Sequence, residues 1–276
     1  MRKFFIFFVI LFSFVLFITG CGTNKANPET QKQNTSEEKG EVRDLWAKVQ
    51  DEGKLLIGTE GTYPPFTFHD DKGELTGFDV EISKEVAKRL EIEPVFFETQ
   101  WDAMFAGLDS KRFDMVANQV GIRPDRQEKY DFSDPYISSS AVLITHESNN
   151  TVSSFDDIEG LKAAQSMTSN YADLAKSNGA EIVGIEGFNQ AIELINSKRA
   201  DVTINDNLSF LDFKKKKPDA PVKIVAESED ASQSGLMFRK GSDTLMDEVN
   251  IALNSMMEDG TFLKISEKWF GEDVLK

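Results

Sequence analysis

The chain has 276 residues, with 31 Lys or Arg against 47 Asp or Glu, so its formal net charge is −16. That balance argues against a nucleic-acid binder, because phosphate recognition requires a clustered basic face. The length allows one large domain or two smaller ones, each with its own core. With one cysteine and two histidines, the chain can form no intramolecular disulfide. We expect neither a zinc site nor a nucleophile–histidine catalytic arrangement, and no cofactor.

The N-terminal segment has the pattern of a secretory signal. Two basic residues precede an apolar run over 4–18, which is short for a membrane span. The run ends in Ile18-Thr19-Gly20-Cys21, which resembles the lipobox of bacterial lipoproteins, where cleavage leaves a lipidated cysteine. We therefore predict a lipoprotein signal peptide over 1–20 and lipidation of Cys21. An uncleaved anchor helix is the alternative.

The next segment is predicted to be a flexible tether. Residues 22–41 contain no aromatic residue and are rich in Asn, Gln, Lys, Glu and Thr. Such a stretch buries too little apolar surface to offset the cost of ordering it. With Cys21 as its first residue, the tether covers 21–41. The expected protein is a body outside the cytoplasm, anchored to the membrane by lipidated Cys21.

From residue 42 onward, strand patterns alternate with helix patterns. Apolar residues that recur every three or four positions predict helices, and short apolar runs bounded by turn residues predict strands. Helices are predicted at 42–51, 78–90 and 102–110 and around Tyr171, Phe188 and Leu245; strands at 54–59, 94–98 and 114–117; and a hairpin over 67–76. This alternation indicates an α/β fold with largely parallel sheets.

An internal repeat suggests two lobes of similar topology. Ser110-Lys111-Arg112-Phe113-Asp114 resembles Ser197-Lys198-Arg199-Ala200-Asp201, and the same offset of 87 pairs Gln119 with Asp206. The identity is low, so coincidence is the alternative. Ligands of open parallel sheets bind beyond the carboxyl ends of the strands. Gln119 and Asp206 are therefore expected to face each other across a cleft.

Two aromatic residues are candidates for the walls of this cleft. Tyr63 follows a strand and precedes two prolines that hold the turn rigid. Trp101 lies at the start of a helix, directly after a strand. Both could present a flat face to an apolar or sulfur-containing side chain. The alternative for each is a place in the core, which we favour for Phe66.

Charged residues near the same strand ends suit an amino acid. Arg123 and Arg126 follow Gly121, and a guanidinium matches a carboxylate with two parallel hydrogen bonds. Thr168 precedes a helix, whose first N–H groups also suit an anion. Asp206 could pair with an ammonium group. Surface ion pairs and helix caps are the alternatives, but the combination predicts an α-amino-acid site.

Four motifs resemble the polar amino-acid family of bacterial solute-binding proteins, which deliver substrates to ABC importers. They are Glu60-Gly61-Thr62-Tyr63-Pro64-Pro65-Phe66, Gly77-Phe78-Asp79-Val80, Tyr130-Asp131-Phe132-Ser133-Asp134-Pro135-Tyr136 and Glu267-Lys268-Trp269-Phe270-Gly271. The resemblance extends from Trp46 to Lys276. Leu108-Asp109-Ser110-Lys111-Arg112 and Asn118-Gln119-Val120 resemble the cystine-binding branch in particular.

This resemblance implies a fold of the two-lobed type II periplasmic-binding-protein class. One lobe would comprise 42–137 plus 234–276 and the other 138–233, each with a mostly parallel central sheet flanked by helices. A two-strand hinge would lie near 136–140 and 230–234. The implied mechanism is a clamp that closes on its ligand and is then recognised by a permease with its ATPase subunit.

The resemblance also implies roles for eight residues. Tyr63 and Trp101 would stack the ligand side chain, and Arg126 would clamp the α-carboxylate with help from Gly121 and Thr168. Asp206 would hold the α-ammonium, while Glu60 would contact an amine or the side chain, and Gln119 stands at a further ligand-contact position. Gln119 and Met167 depart from the usual small residue and glycine.

L-cystine is the favoured ligand, and the resemblance implies a binding protein without catalytic residues. The same clamp could instead serve glutamine, arginine or histidine. A dehydratase-type enzyme or a signalling receptor domain on this fold are further alternatives.

Overall fold

The computed structural model describes residues 44–275, so the predicted signal peptide, the tether and Cys21 lie outside the described residues. The helices are α1 Leu45–Glu52, α2 Phe78–Arg89, α3 Trp101–Asp109, α4 Pro124–Gln127, α5 Asn170–Ser177, α6 Phe188–Asn196, α7 Asn207–Lys216, α8 Asp243–Glu258 and α9 Thr261–Phe270. A 3₁₀ turn covers Phe155–Ile158. In the described range, no helix is both long and apolar enough to cross a membrane.

Fourteen strands are present within this range. They are β1 Lys54–Thr59, β2 Thr62–Tyr63, β3 Thr67–His69, β4 Leu75–Thr76, β5 Glu93–Glu98, β6 Met115–Gly121, β7 Tyr130–Phe132, β8 Ile137–Ser139, β9 Ala141–His146, β10 Lys162–Gln165, β11 Glu181–Gly184, β12 Val202–Asp206, β13 Val222–Glu227 and β14 Ser232–Arg239. The predicted helices and strands agree with this order to within a few residues, and β3 and β4 form the predicted hairpin.

The strands form two main sheets, of six and five strands, and a small three-stranded sheet with the order β2-β3-β4 that belongs with the first main sheet. The first sheet has the order β5-β1-β6-β14-β7, with β8 paired to β14, and the second has the order β11-β10-β12-β9-β13. We call the first sheet with α1–α4, α8 and α9 the first lobe, and the second sheet with α5–α7 the second lobe. The predicted two-lobed α/β fold is confirmed.

Each sheet contains one strand that runs against the others. β14 is antiparallel to its neighbours in the first sheet, and β9 is antiparallel to its neighbours in the second. These are the strands that the chain enters after it crosses between the lobes, from β8 to β9 and from β13 to β14. The prediction of mostly parallel sheets therefore holds for all strands except the two that begin after a crossing.

Both sheets are covered on both faces. Met115 and Ala117 of β6 pack with the helices on one face of the first sheet, while Val116 and Val120 pack with α3 on the other. Strands buried on both faces read as continuous apolar runs rather than as alternating ones. This packing leaves the carboxyl ends of the parallel strands as the free edges that can hold a site.

Candidate functional site

A cavity lies between the two lobes, where the carboxyl ends of β1, β6, β10 and β12 meet. Its lining residues are Glu60, Tyr63, Trp101, Asn118, Gln119, Gly121, Ser139, Gln165, Ser166, Ser169, Asn170, Tyr171, Ile185, Gly187, Phe188, Asn205, Asp206, Ser232 and Ser234. Six of the eight residues predicted to bind ligand are among them. Arg126 and Thr168 are not.

The repeat contributes equivalent residues from both lobes. Trp101 and Phe188 begin α3 and α6, and Asn118 and Asn205 lie on β6 and β12, so both pairs line the cavity. The next pair meets across it, because Gln119 Nε2 donates to Asp206 Oδ2 at 2.5 Å. The prediction that these two residues face each other is confirmed.

Asp206 is a buried carboxylate at the start of α7. Its Oδ1 caps this helix by accepting from Leu208 N at 2.9 Å, so the predicted capping role holds alongside a place in the cavity. Its Oδ2 accepts from Gln119 and from the hydroxyl groups of Ser139 and Tyr171. Burial raises the pKa of Asp206 despite these hydrogen bonds. Within 44–275 no cation pairs with it, so its charge is available to an ammonium group.

Glu60 follows β1 and is the second carboxylate in the cavity. Its Oε2 accepts from Asn118 Nδ2 at 2.6 Å, and Asn118 Oδ1 in turn accepts from the Glu60 backbone N–H at 2.8 Å. Burial, with a smaller contribution from the nearby charge of Asp102, outweighs the hydrogen bond from Asn118 and raises the pKa of Glu60 to about 7. A cation beside Glu60 would favour its ionised form.

The aromatic residues serve both the core and the cavity. Phe66 is fully buried, as favoured from the sequence, and Tyr63 packs on it at 5.1 Å between ring centroids. The Tyr63 hydroxyl donates to Asn205 Oδ1 of the second lobe at 2.7 Å. Trp101 is 8% exposed and packs in a T-shaped arrangement against Phe105, and it also lines the cavity.

Arg126 lies directly behind the cavity wall and is 6% exposed. Its Nη1 donates to Gly121 O at 3.0 Å, and its guanidinium lies 5.5 Å from the centre of the Trp101 ring. Burial is the largest cause that lowers its pKa, to about 10. Among the described residues no carboxylate lies within ion-pair distance of it, so most of its donors remain available to an anion. Arg123, by contrast, forms the surface ion pair with Asp125 that was its alternative.

Gly121 borders both the cavity and Arg126. A Cβ atom at this position would lie 3.6 Å from Arg126 Nη1 and 3.5 Å from Ser232 Oγ. A side chain beyond that Cβ would extend into the space beside the guanidinium. The absence of a side chain at Gly121 therefore keeps the approach to Arg126 open.

Thr168 is exposed at the rim of the cleft, outside the cavity. Its hydroxyl donates to Asp102 Oδ1 of the first lobe at 2.7 Å. The next residue, Ser169, lines the cavity instead and caps α5 by accepting from Ala172 N at 3.0 Å. At the start of α5, the residue that reaches the cavity is therefore Ser169 and not the predicted Thr168.

Gln119 has an unusual backbone conformation that a buried acid holds in place. Its φ of 48° lies in the left-handed region, which costs energy for a residue with a side chain. Its backbone N–H donates to Asp79 Oδ2 at 2.6 Å, and burial raises the pKa of Asp79 to about 7. Asp79 belongs to the motif Gly77-Phe78-Asp79-Val80, and no role was predicted for it from the sequence.

The sequence analysis also missed most polar residues of the cavity wall. They are Asn118, Ser139, Gln165, Ser166, Ser169, Asn170, Tyr171, Asn205, Ser232 and Ser234. The repeat matched Asn118 with Asn205, and this was a usable signal. Ser139 and Ser232 lie beside the two crossings between the lobes, so the predicted hinge also pointed to them.

The arrangement suits a zwitterion with an extended side chain. Among the residues that the structure describes, neither Asp206 nor the half-buried Glu60 is paired with a cation, and the buried Arg126 is not paired with an anion. Burial weakens the screening of such charges, so a ligand that supplies the missing partners gains more here than at the surface. Aromatic rings from both lobes cover the space between these charges.

Comparisons with known proteins agree with this site. The model of the bacterial extracellular solute-binding proteins, family 3, matches residues 55–272. The L-cystine-binding protein TcyA of Bacillus subtilis is 52% identical over 244 residues, which cover 88% of this chain and 91% of that protein.

Two solved structures are informative about the arrangement of the lobes. The L-cystine solute receptor of Neisseria gonorrhoeae, in its unliganded open conformation, is 48% identical and covers 83% of this chain and 98% of its own, with a TM-score of 0.56. An ancestral arginine-binding protein bound to arginine is only 35% identical but has a TM-score of 0.75, over 79% of this chain and 98% of its own. The arginine-bound protein therefore superposes better on this chain than the open receptor does, although it is less identical in sequence.

Proposed function

The chain belongs to family 3 of the bacterial extracellular solute-binding proteins, and from this premise we propose that it binds L-cystine between its lobes and delivers it to an ABC importer. Binding of an amino acid for import agrees with its cystine-binding relatives. The cystine assignment, the residues that hold the ligand and the lipid anchor form the proposed part.

The observation that carries the proposal is the set of uncompensated charges around the cavity. An α-amino acid brings one ammonium group and one carboxylate, which complement Asp206 and Arg126. L-cystine brings a second ammonium group at its far end. This second cation complements Glu60, a half-buried acid whose side-chain partner among the described residues is the neutral amide of Asn118.

The aromatic walls favour a ligand with a disulfide between its two ends. Tyr63 and Trp101 lie on the first lobe and Phe188 lies on the second, around the space that separates the charged groups. Sulfur makes favourable contacts with aromatic ring edges. Glutamine would place a neutral amide near Glu60, and we rank it below cystine for that reason.

Arginine is the second candidate, and two observations favour it. Its guanidinium would also neutralise Glu60, and an arginine-bound protein superposes well on this chain. Arginine lacks, however, the sulfur atoms that make favourable contacts with the aromatic walls. A titration that compares the two ligands separates them directly.

The mechanism we propose is closure of a hinged clamp. The lobes would comprise 42–137 plus 234–276 and 138–233, with the hinge near 136–140 and 230–234. The two crossings between the sheets, from β8 to β9 and from β13 to β14, support these limits. Ligand contacts from both lobes exist together only when the lobes are closed, so binding stabilises that state. The permease and its ATPase subunit would then receive the closed form.

We further propose that Cys21 is lipidated and anchors the protein outside the cytoplasm. The support is the sequence Ile18-Thr19-Gly20-Cys21 after a signal-like segment. Labelled palmitate fed to the cells should be incorporated into the wild-type protein and not into a Cys21→Ser variant. Absence of label from the wild-type protein, or equal label in both proteins, would contradict the lipid anchor.

The test of the proposed ligand is calorimetric titration of the purified chain, unfolded and refolded first to remove bound solute. The titrants are L-cystine, L-arginine, L-glutamine, L-histidine and L-cysteine. Micromolar or tighter binding of cystine alone is the expected result. Preference for arginine would keep the clamp and change the ligand, whereas no binding by any titrant would contradict the proposed function.

A further inference from the structure

The rim of the cleft carries contacts between the lobes that lie outside the cavity. Asp102, in the first turn of α3, accepts from the backbone N–H groups of Met167 at 3.3 Å and Thr168 at 3.0 Å. It also accepts from the Thr168 hydroxyl at 2.7 Å. One carboxylate of the first lobe thus receives three hydrogen bonds from the second lobe, and none of these residues lines the cavity.

These contacts hold the segment that leads into α5. Backbone N–H groups just before a helix have no partner within the helix, and the helix dipole favours a negative charge beside them. Ser169 satisfies a donor inside α5, while Asp102 satisfies two donors that precede it. The carboxylate therefore acts as a helix cap supplied by the opposite lobe.

A second rim contact holds the same helix. Arg123 of the first lobe donates to Asp173 of α5 at 3.0 Å. The first turn of α5 also contains Asn170 and Tyr171, which line the cavity. Contacts that fix this turn against the first lobe consequently fix one wall of the ligand site.

We propose that Asp102 is a positioning residue that stabilises the closed clamp without touching the solute. For its effect on solute affinity, the inference rests on the proposed function. The apparent dissociation constant rises when the closed, binding-competent fraction falls. Because the Asp102 contacts join the two lobes, their loss favours separation of the lobes and should speed opening and release more than it slows encounter.

The expected effect is moderate because Asp102 and Thr168 are exposed. Solvent screens such a pair, so removal of the carboxylate should raise the solute dissociation rate about three- to tenfold. Added salt should reduce the difference from wild type, since it screens exposed charges. Thr168→Val removes one of the three hydrogen bonds and should have a smaller effect than Asp102→Ala.

The experiment uses the full chain with Asp102→Ala and a matched control, Asp109→Ala. Asp109 is exposed on the same helix, but its partner is Tyr130 of the first lobe, 3.0 Å away. We call the three hydrogen bonds from Met167 and Thr168 to Asp102 the latch. Hydrogen exchange of the peptide that contains Met167 and Thr168 measures protection by the latch, and stopped-flow tryptophan fluorescence measures release of L-cystine. Asp102→Ala should accelerate both, and Asp109→Ala neither.

The outcomes separate the inference from the proposed function. Wild-type protein that binds no amino acid would contradict the proposed function, yet exchange at Met167 and Thr168 in the ligand-free chain would still test the latch. Equal exchange and equal release in wild type and Asp102→Ala would overturn the inference. In the Asp102→Ala/Thr168→Val double variant, loss of the Thr168 effect supports the latch. A full Thr168 effect in that background would instead assign Thr168 to the solute and overturn its role in the latch.

Discussion

The two lobes build the same shape around the cavity and place different charges in it. Trp101 and Phe188 occupy equivalent helix starts, and Asn118 and Asn205 occupy equivalent strand positions. At the next position the first lobe has a neutral amide, whereas the second has a carboxylate, Asp206. The duplicated positions supply the walls, and the positions that differ give the cavity its charge, which we propose recognises the ligand.

The cationic side of the site shows the same asymmetry. Arg126 has no basic counterpart at the equivalent position of the second lobe, where Phe213 is buried and packs on Phe188. The guanidinium therefore lies on one lobe and the principal carboxylate on the other. A zwitterion is contacted at both ends only when both lobes approach it, which ties recognition to closure.

The largest expected effect follows from removal of the cation. Arg126→Ala should weaken amino-acid binding by more than about 2 kcal/mol, because the ligand carboxylate loses its charged partner in a buried place. Arg112→Ala, at an exposed arginine of the same lobe, is the control and should leave affinity unchanged. Calorimetric titration measures both, and wild-type affinity in Arg126→Ala would overturn the site assignment.

Removal of the opposite charge should have a similar but slightly smaller effect. Asp206→Asn keeps an oxygen for the cap of α7, and Asn caps helices about as well as Asp. It removes the charge that attracts the ammonium group, so binding should weaken by about 2 kcal/mol while the melting temperature changes little. A large drop in melting temperature with unchanged affinity would indicate that Asp206 is structural only.

The stability of the ligand-free chain and its affinity for ligand should depend on pH in opposite directions. Burial raises the pKa of both Glu60 and Asp79 to about 7, far above the values of roughly 4 in unfolded chains. Between the unfolded and the folded pKa, the folded state binds more protons than the unfolded state does. The stability that these two groups contribute to the ligand-free chain is therefore lost as the pH rises through 7, from 6 to 8. The pKa of Asp259, lowered to about 2, places its titration below this window.

Ligand binding should show the opposite trend. A cation beside Glu60 favours its ionised form, so binding releases a proton and weakens as pH falls below 7. Melting curves and titrations at pH 6 and pH 8 measure the two trends. Glu60→Gln should flatten the binding trend and leave the contribution of Asp79 to stability. An unchanged binding trend in that variant would place the titrating group elsewhere.

The smallest expected effect tests the equivalence of the lobes outside the site. Two residues after the last residue of α3 and of α6, a lysine lies in the left-handed region: Lys111 at φ 62° and Lys198 at φ 57°. The hydrogen bonds match: Arg112 N to Gly107 O in one lobe, and Arg199 N to Leu194 O in the other. Glycine is favoured at such a position.

Lys111→Gly and Lys198→Gly should therefore each stabilise the chain by about 0.5–1 kcal/mol. Chemical denaturation measures the two changes. Comparable gains would support equivalent helix ends in the two lobes. A gain in one variant and a loss in the other would show that the repeat does not extend to the energetics of these turns.

The sequence predicted the repeated part of the fold well, because local patterns specify it. The helices that begin at Trp101 and Phe188 are offset by the same 87 positions as the matching sequence motifs. It gave no strand prediction for β9, β13 or β14. β14 begins with exposed polar residues and continues with five buried ones, so it shows no alternation of apolar and polar positions.

The site was predicted less completely than the fold, since contacts across the cleft depend on how the lobes meet. Strand ends placed Gln119 and Asp206 at one cleft, the resemblance to the family added Glu60, and all three line the same cavity. No local pattern distinguishes Thr168 from Ser169 before α5, because both have hydroxyl groups near a helix start. The backbone register decides which of them faces the cavity.

The most direct test of the central claim is a structure of the chain in complex with L-cystine. The account predicts one ammonium group within hydrogen-bond distance of Asp206, its carboxylate at Arg126 and the second ammonium group at Glu60. A complex with the carboxylate bound by the second lobe, and with Arg126 and Asp206 both free of ligand, would contradict it.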